Sequence, residues 1–374
     1  MVYWAAVPTR TTNYLPRVGT LLHRSHFAAH HLSPSLYSPP RRPYQAHCDN
    51  PSPDRQHPSG CIPLGTDGWG CNCANGTDAH CDVGQSCLWF SDGCSIGCEK
   101  CDGQGGNPNT RDRCNSGMNA TICDPKLRTY NTDAECNTKA DLYRYNPWRA
   151  PGSAPVLDSC GMAGGGPMNV GGEAKYTTTK YAKTGDLGST LPPAPTGVVW
   201  KAGSVVEASW SIRANHGGGY QYRLCPASEP LTEECFFKTP LPFASTVQTL
   251  TWSDSSLPPF HKEEEVWKIN GTYVSEGTLP AGSMWARNPL PYSNDADPAK
   301  PPFTFYPLCN ETITPMESDT GKCSGRDPYN TLITDELRVP ADLTPGAYVL
   351  GIRWDCEKSA QIWTNCADLE IVAA

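Results

Sequence analysis

The chain has 374 residues and a formal net charge of −8, and its charged residues make up 18% against the roughly 25% usual for soluble domains. It carries no basic stripe to displace counterions from phosphates, which argues against a nucleic-acid partner, and no apolar run approaches the ~20 residues of a membrane span. Neutral polymers such as polysaccharides stay open, and glycine (34) and proline (36), nearly a fifth of the chain, point to an all-β, loop-rich fold.

Residues 1–34 lack a useful periodicity and are expected to be disordered or to come from a wrongly predicted first exon. Four histidines, His23, His26, His30 and His31, lie close together here, and Ala28-Ala29 before His30 has the small side chains of a cleavage site. One further domain is expected over 35–374.

Twelve of the nineteen cysteines fall between Cys48 and Cys136. Their spacing is too tight for a hydrophobic core to organise, so 48–136 is expected to be a disulfide-rich insertion held by covalent staples. Structural zinc at Cys98-x-x-Cys101 is the competing reading, weakened by the lack of a second such pair at finger spacing. The cysteine density, with Asn-x-Ser/Thr sequons at Asn75, Asn119, Asn270 and Asn310, predicts a secreted, glycosylated protein.

The segment 143–165 reads as a long ordered loop. Strand-like runs then recur between Pro/Gly turns, at 197–200, 204–213, 220–224, 248–252, 271–276, 346–355 and 361–372. Many short strands with turns between them predict a β-sandwich of immunoglobulin or fibronectin type, with long loops. Cys225 with Cys235, Cys309 with Cys323, and Cys356 with Cys366 are plausible local bridges, although sequence alone does not fix connectivity.

Two stretches carry chemistry. Val205 to Ile212 alternates apolar and polar residues, then breaks into Asn215-His216-Gly217-Gly218-Gly219. His216 thus falls at a strand end, followed by glycines that leave the imidazole uncovered and free the backbone, so the ring can face solvent or a metal. A lone strand-end histidine is more often a packing or surface residue. Near the carboxyl end, Gln361 and Trp363 share one strand face by the period of two; a buried glutamine there needs a hydrogen-bond partner.

From about Ser35 to Ile371 the chain resembles the chitin-binding type-4 domain, the fold of the lytic polysaccharide monooxygenases. Asn146-Pro147-Trp148-Arg149-Ala150-Pro151-Gly152 and Asp158-Ser159-Cys160-Gly161 look like the opening loops of protist and algal members. His216 resembles the family's second copper-binding histidine, and Gln361-Ile362-Trp363 its Gln-x-Tyr segment, where an aromatic ring lies on the copper's axial side and the glutamine near the oxygen site. Trp363 stands where Tyr or Phe is usual, a bulkier ring without a hydroxyl.

In that family the mature chain begins with the first copper histidine. Here Ser35 to Arg41 is similar to the segment just after it, but Ser33-Pro34 occupy the expected positions and His31 is two places out of register. The resemblance implies a site built from two imidazoles and a terminal amine, whose pKa of about 7.7–8.0 lets it bind copper near neutral pH. It implies oxidative cleavage of chitin, cellulose or a related glycan with an external electron donor, by a monomer without nucleic-acid or membrane partners. The alternatives are a carbohydrate-binding protein of the same fold without catalysis, or a cysteine-rich structural protein using zinc.

Overall fold

In this computed structural model the described residues are 2–7, 89–90, 96, 146–163, 185–193, 195–212, 215–253, 264–290, 331–357 and 361–374. They form a β-sandwich, as the sequence predicts. The strands in chain order are β1 (Val2–Val7), β2 (Trp89–Phe90), β3 (Met162–Ala163), β4 (Pro195–Lys201), β5 (Val205–Ile212), β6 (Gly219–Pro226) and β7 (Val247–Ser253). They continue with β8 (Glu264–Asn270), β9 (Tyr273–Val274), β10 (Trp285–Arg287), β11 (Thr331–Arg338), β12 (Gly346–Asp355) and β13 (Ile362–Val372). One sheet has the order β1-β5-β11-β7-β8 and the other β4-β13-β12-β6-β10-β9, with β2 and β3 as a separate pair.

Alternation explains which faces meet. Val206, Ala208 and Trp210 of β5 face Tyr220, Tyr222 and Leu224 of β6 and Leu350, Ile352 and Trp354 of β12, all at most 1% exposed. That burial is the main driving force for closing the two sheets. Four strands of the sandwich were not expected from sequence: β1, β8, β10 and β11. The expected strand at 271–276 shrinks to β9.

The outer face of the second sheet is also covered. A short helix, α1 (Glu233–Phe236), lies on β6 and β12, with Phe236 so near Gly351 that an added Cβ would sit 2.9 Å from its ring. Beneath α1, Arg223 and Arg353 both pair with Glu233, at 2.8 and 2.5 Å. Arg353 also holds Asp355 at 2.6 Å, and Asp355 in turn accepts from the Gly152 backbone N–H at 2.8 Å. The loop 146–160 thereby packs along the ends of β12 and β13.

Cys225 bridges Cys235, as expected, and ties β6 to α1. Cys366 instead bridges Cys160, with Cα atoms 5.1 Å apart. Register explains this correction. Cys366 lies opposite Gly351 on β12, and the five residues on to Cys356 span about 17 Å of strand, beyond the ~7 Å limit for a disulfide.

Val2–Val7, an apolar and β-prone run, pairs antiparallel with β5 from Val2 opposite Ile212 to Val7 opposite Glu207. The rest of 1–34 lies outside the described residues, as do Ser35 to Arg41, Cys309 and Cys323. Of the cysteine-rich segment only Trp89, Phe90 and Ile96 are described. Trp89 pairs with Ala163, and Ile96 is buried against Ala150, Ala154 and Ile362. Among the described residues no helix is long and apolar enough to cross a membrane.

Candidate functional site

The turn between β5 and β6 carries His216 and is held by hydrogen bonds from three directions. Asn215 closes it from within, its Oδ1 accepting from Gly217 N at 2.9 Å and from Asn288 Nδ2 at 2.8 Å. Its own Nδ2 donates to the Leu290 carbonyl at 3.1 Å, and Asn288 N donates to the Gly218 carbonyl at 2.8 Å. The end of β12 grips the other side: Glu357 N donates to the His216 carbonyl at 3.1 Å, and Trp354 Nε1 to the Gly217 carbonyl at 2.6 Å.

The glycines are needed chiefly for close approach. Gly217 and Gly218 have φ of 67° and 74°, a region that disfavours other residues. A Cβ on Gly218 would also stand 1.9 Å from the Asp355 carbonyl oxygen. One on Gly219 would meet the Ala286 carbonyl at 2.2 Å and the Trp148 ring at 2.3 Å. The run does more than leave the imidazole uncovered, because it lets the turn sink between β10, β12 and the Trp148 loop.

His216 itself is half-buried. Its ring stacks near Trp354, with centroids 6.2 Å apart and an interplanar angle of 29°, and near Trp363 at 6.5 Å and 17°. Trp363 is 5% exposed and contributes to the core between the sheets. Gln361 is buried at the head of β13, and its carbonyl accepts from Cys356 N at 3.1 Å. The adjacent residue, Glu357, bonds the His216 carbonyl, so the end of β12 joins Gln361 and His216 through successive backbone N–H groups. The three residues singled out from sequence are thus gathered at one end of the sandwich.

Sequence reasoning missed the support beneath them. Glu357 is 2% exposed and pairs through Oε2 with Arg287 at 3.2 Å; the same oxygen faces Gly218 N at 3.4 Å. Burial raises its carboxyl above the ordinary range, opposed by Arg287, by the Gly218 N–H and by Arg149. Asn146 Nδ2 donates to the Glu357 carbonyl at 2.9 Å, and Trp148 N to the Cys356 carbonyl at 3.1 Å. The Asn146-Pro147-Trp148 motif therefore braces the strand end that holds the histidine turn. Partners separated by 70 to 211 residues leave no local pattern in a sequence.

A neutral imidazole is a nitrogen donor suited to copper or zinc rather than to calcium or magnesium. Among the described residues no group of three His, Cys, Asp or Glu side chains could hold a metal ion. They fit copper as one nitrogen donor on a rigid support, and any further donors lie outside them. His30 and His31 and the cysteines at 98 and 101 are among the residues not described.

No family model matches the chain. It is 24% identical over 233 residues to the AA13 family lytic polysaccharide monooxygenase A of Pyricularia oryzae, covering 59% of this chain and 52% of that protein. The chain thus spans about half the length of the curated relative it matches. Among solved structures it is similar to a lytic polysaccharide monooxygenase AA15 from Thermobia domestica in the Cu(I) state, with a TM-score of 0.24, 16% identity, and coverage of 49% of this chain and 65% of that one. It is also similar to the cellulose-active CelS2 in complex with copper, with a TM-score of 0.22, 12% identity, and coverage of 50% and 56%. None of these likenesses assigns a role to a residue of this chain.

Proposed function

We propose that this chain acts outside the cell as a copper-dependent enzyme that cleaves a polysaccharide oxidatively, with His216 as a copper ligand and Gln361 and Trp363 beside the metal. The observation that carries this reading is a half-buried imidazole on a turn clamped by Asn215, Asn288, Trp354 and Glu357. Such a support fixes the ring before any ligand arrives, so little freedom is lost on binding. The sequence similarity to a lytic polysaccharide monooxygenase agrees with it.

Copper, when bound, supplies one-electron chemistry and requires an external electron donor. The chain's own residues supply the frame. His216 offers a nitrogen, and Trp363 and Trp354 place apolar rings against it and keep water from that side. The substrate class is a neutral glycan such as chitin or cellulose, and the two described disulfides suit an oxidising compartment. The protein is expected to act as a monomer without nucleic-acid or membrane partners.

The test is to incubate the secreted, processed protein with chitin, cellulose and pectin, copper and a reductant, and to analyse the soluble products by mass spectrometry. Oxidised oligosaccharides from the wild type and none from His216→Ala are expected; equal product from both would refute the role of His216. A second reading follows from the single nitrogen donor among the described residues: a carbohydrate-binding protein of this fold without catalysis. Retention on the polymer without oxidised products, at any copper concentration, would favour it.

A further inference from the structure

Between β8 and β9 the chain crosses from one sheet to the other through Gly271-Thr272, which with Asn270 spell an Asn-x-Thr sequon. Backbone groups frame this turn: Gly271 N donates to the Thr246 carbonyl at 2.8 Å, and Arg287 N to the Thr272 carbonyl at 2.8 Å. Gly271 must be small, since a Cβ there would stand 2.8 Å from the Tyr273 hydroxyl and 2.9 Å from Gln248 Oε1. The side chains on either side of it have no such part in the frame. Asn270 is exposed and Thr272 half-buried, and neither the Asn270 amide nor the Thr272 hydroxyl has a hydrogen-bond partner among the described residues. An asparagine beside a turn commonly spends its amide on nearby backbone; this one does not.

We propose that Asn270 carries an N-linked oligosaccharide that shields the open edges of β8 and β9. The proposal rests on the reading of this chain as an exported protein. The donor is an oligosaccharide linked through pyrophosphate to a lipid, in the secretory pathway. Asn270 Nδ2 forms a bond to C1 of the first sugar as the bond from C1 to the pyrophosphate oxygen breaks. Lipid pyrophosphate leaves, the amide gives up one proton to a base of the transferase, and nothing is oxidised or reduced. The Thr272 hydroxyl is the second group that such a transferase recognises.

The position explains what the sugar would do. Among the described residues β8 and β9 each pair on one side only, β8 with β7 and β9 with β10. β8 is seven residues long, and an open edge of that length is a template for pairing with another chain. Asn270 is the last residue of β8, and β9 begins at Tyr273. A bulky, hydrated glycan rooted at this corner stands beside both edges.

The same register keeps its root away from the histidine turn. Asn270 lies opposite Val247 at one end of β7, whereas Trp252, five residues on, lies opposite Thr331. The next residue, Leu332, lies opposite Ser211, near the end of β5 that leads to His216. Asn270 is therefore about 17 Å along the strands and about 14 Å across them from that end. The other three sequons, at Asn75, Asn119 and Asn310, lie outside the described residues.

The test uses the full chain secreted from a eukaryotic host behind that host's signal peptide. Enzymatic release of N-glycans in heavy-oxygen water converts each occupied asparagine to labelled aspartate, which peptide mass spectrometry locates. Label at residue 270 is expected in the wild type and in Thr272→Ser and none in Thr272→Ala, while Asn270→Gln should lose one glycan from the intact mass. A secreted wild type without label at residue 270 would overturn the proposal.

Sedimentation velocity over a range of concentrations reads the shielding. Asn270→Gln and Thr272→Ala should self-associate where the wild type stays monomeric, and monomers in all three would refute the shielding role. Should one variant fail to fold, the other decides it. A glycan on Asn270 in a protein that binds no copper would leave this inference standing and refute the proposed function. Copper binding by a secreted protein with Asn270 bare would do the reverse.

Discussion

Three enclosed carboxylates among the described residues, Glu233, Glu357 and Asp335, are sent different ways by their neighbours. Glu233 lies between Arg223 and Arg353; burial alone would raise its carboxyl, but the two guanidinium groups outweigh burial and hold it down to about 2. Glu357, beside the histidine turn, has Arg287 in contact and stays raised. Asp335, with neutral donors only, climbs to about 6. The comparison teaches that depth of burial does not decide whether a buried acid is a structural ion or a proton acceptor; the count of adjacent cations does.

The largest effect is expected where the pairing is strongest. Glu233→Gln leaves Arg223 and Arg353 buried without their shared counter-ion and should cost about 3–5 kcal/mol of unfolding free energy, read by urea denaturation with the disulfides intact. A loss below about 1 kcal/mol would mean that solvent reaches this cluster and that the comparison with Asp335 is empty.

Next comes pH. The folded carboxyl of Asp335 lies above its ordinary 3.8, so its contribution is full below that value and is lost as pH rises through about 6; a shift of about two units is worth about 3 kcal/mol. Glu233 has the opposite sign. Its contribution, of about the same size, is full above its ordinary 4.5 and is lost as pH falls toward 2. Together the two groups should favour a stability maximum near pH 4. Thermal unfolding as a function of pH should show wild-type stability declining between pH ~4 and ~7, and Asp335→Asn flattening that decline. Glu357 and Asp158, raised in the same direction, leave a residual decline, but if Asp335→Asn declines as steeply as the wild type, the assignment to this aspartate is wrong.

The smallest effect is expected at the intermediate case. Glu357→Gln keeps an oxygen for Gly218 N and removes a charge that burial already disfavours, so the loss should be about 1–2 kcal/mol. Its copper affinity should nevertheless fall by about tenfold, because the Arg287 ion pair that steadies the Glu357 side chain behind the turn is lost. Unchanged affinity would show that the turn is held without Glu357.

Much of the frame was legible because its strands alternate. β5, β6 and β12 follow an apolar period of two, and the observed β12 spans Gly346–Asp355 as expected. β11 was not legible, because Asp335 occupies an inward position that the pattern reserves for an apolar side chain; its reason lies in Tyr220 and Tyr222, more than a hundred residues away. β8 reads Glu-Glu-Val-Trp-Lys-Ile-Asn and hides behind its charges, and the three residues of β10 are too few to carry a period. By alternation alone, Arg223 and Arg353 belong on a solvent face, yet α1 and the loop 146–160 cover them.

At the site, the glycine run flagged His216 and the period of two linked Gln361 with Trp363. The clamp of Asn215, Asn288, Arg287 and Glu357 left no such trace, since long-range hydrogen bonds impose no periodicity.

The central claim is that the imidazole of His216 is a copper ligand. Calorimetric titration of the processed protein with Cu(II) tests it most directly. The account predicts tight, saturable binding in the wild type and an affinity about a hundredfold weaker in His216→Ala, a difference of about 3 kcal/mol. Equal affinity in the two proteins would contradict it.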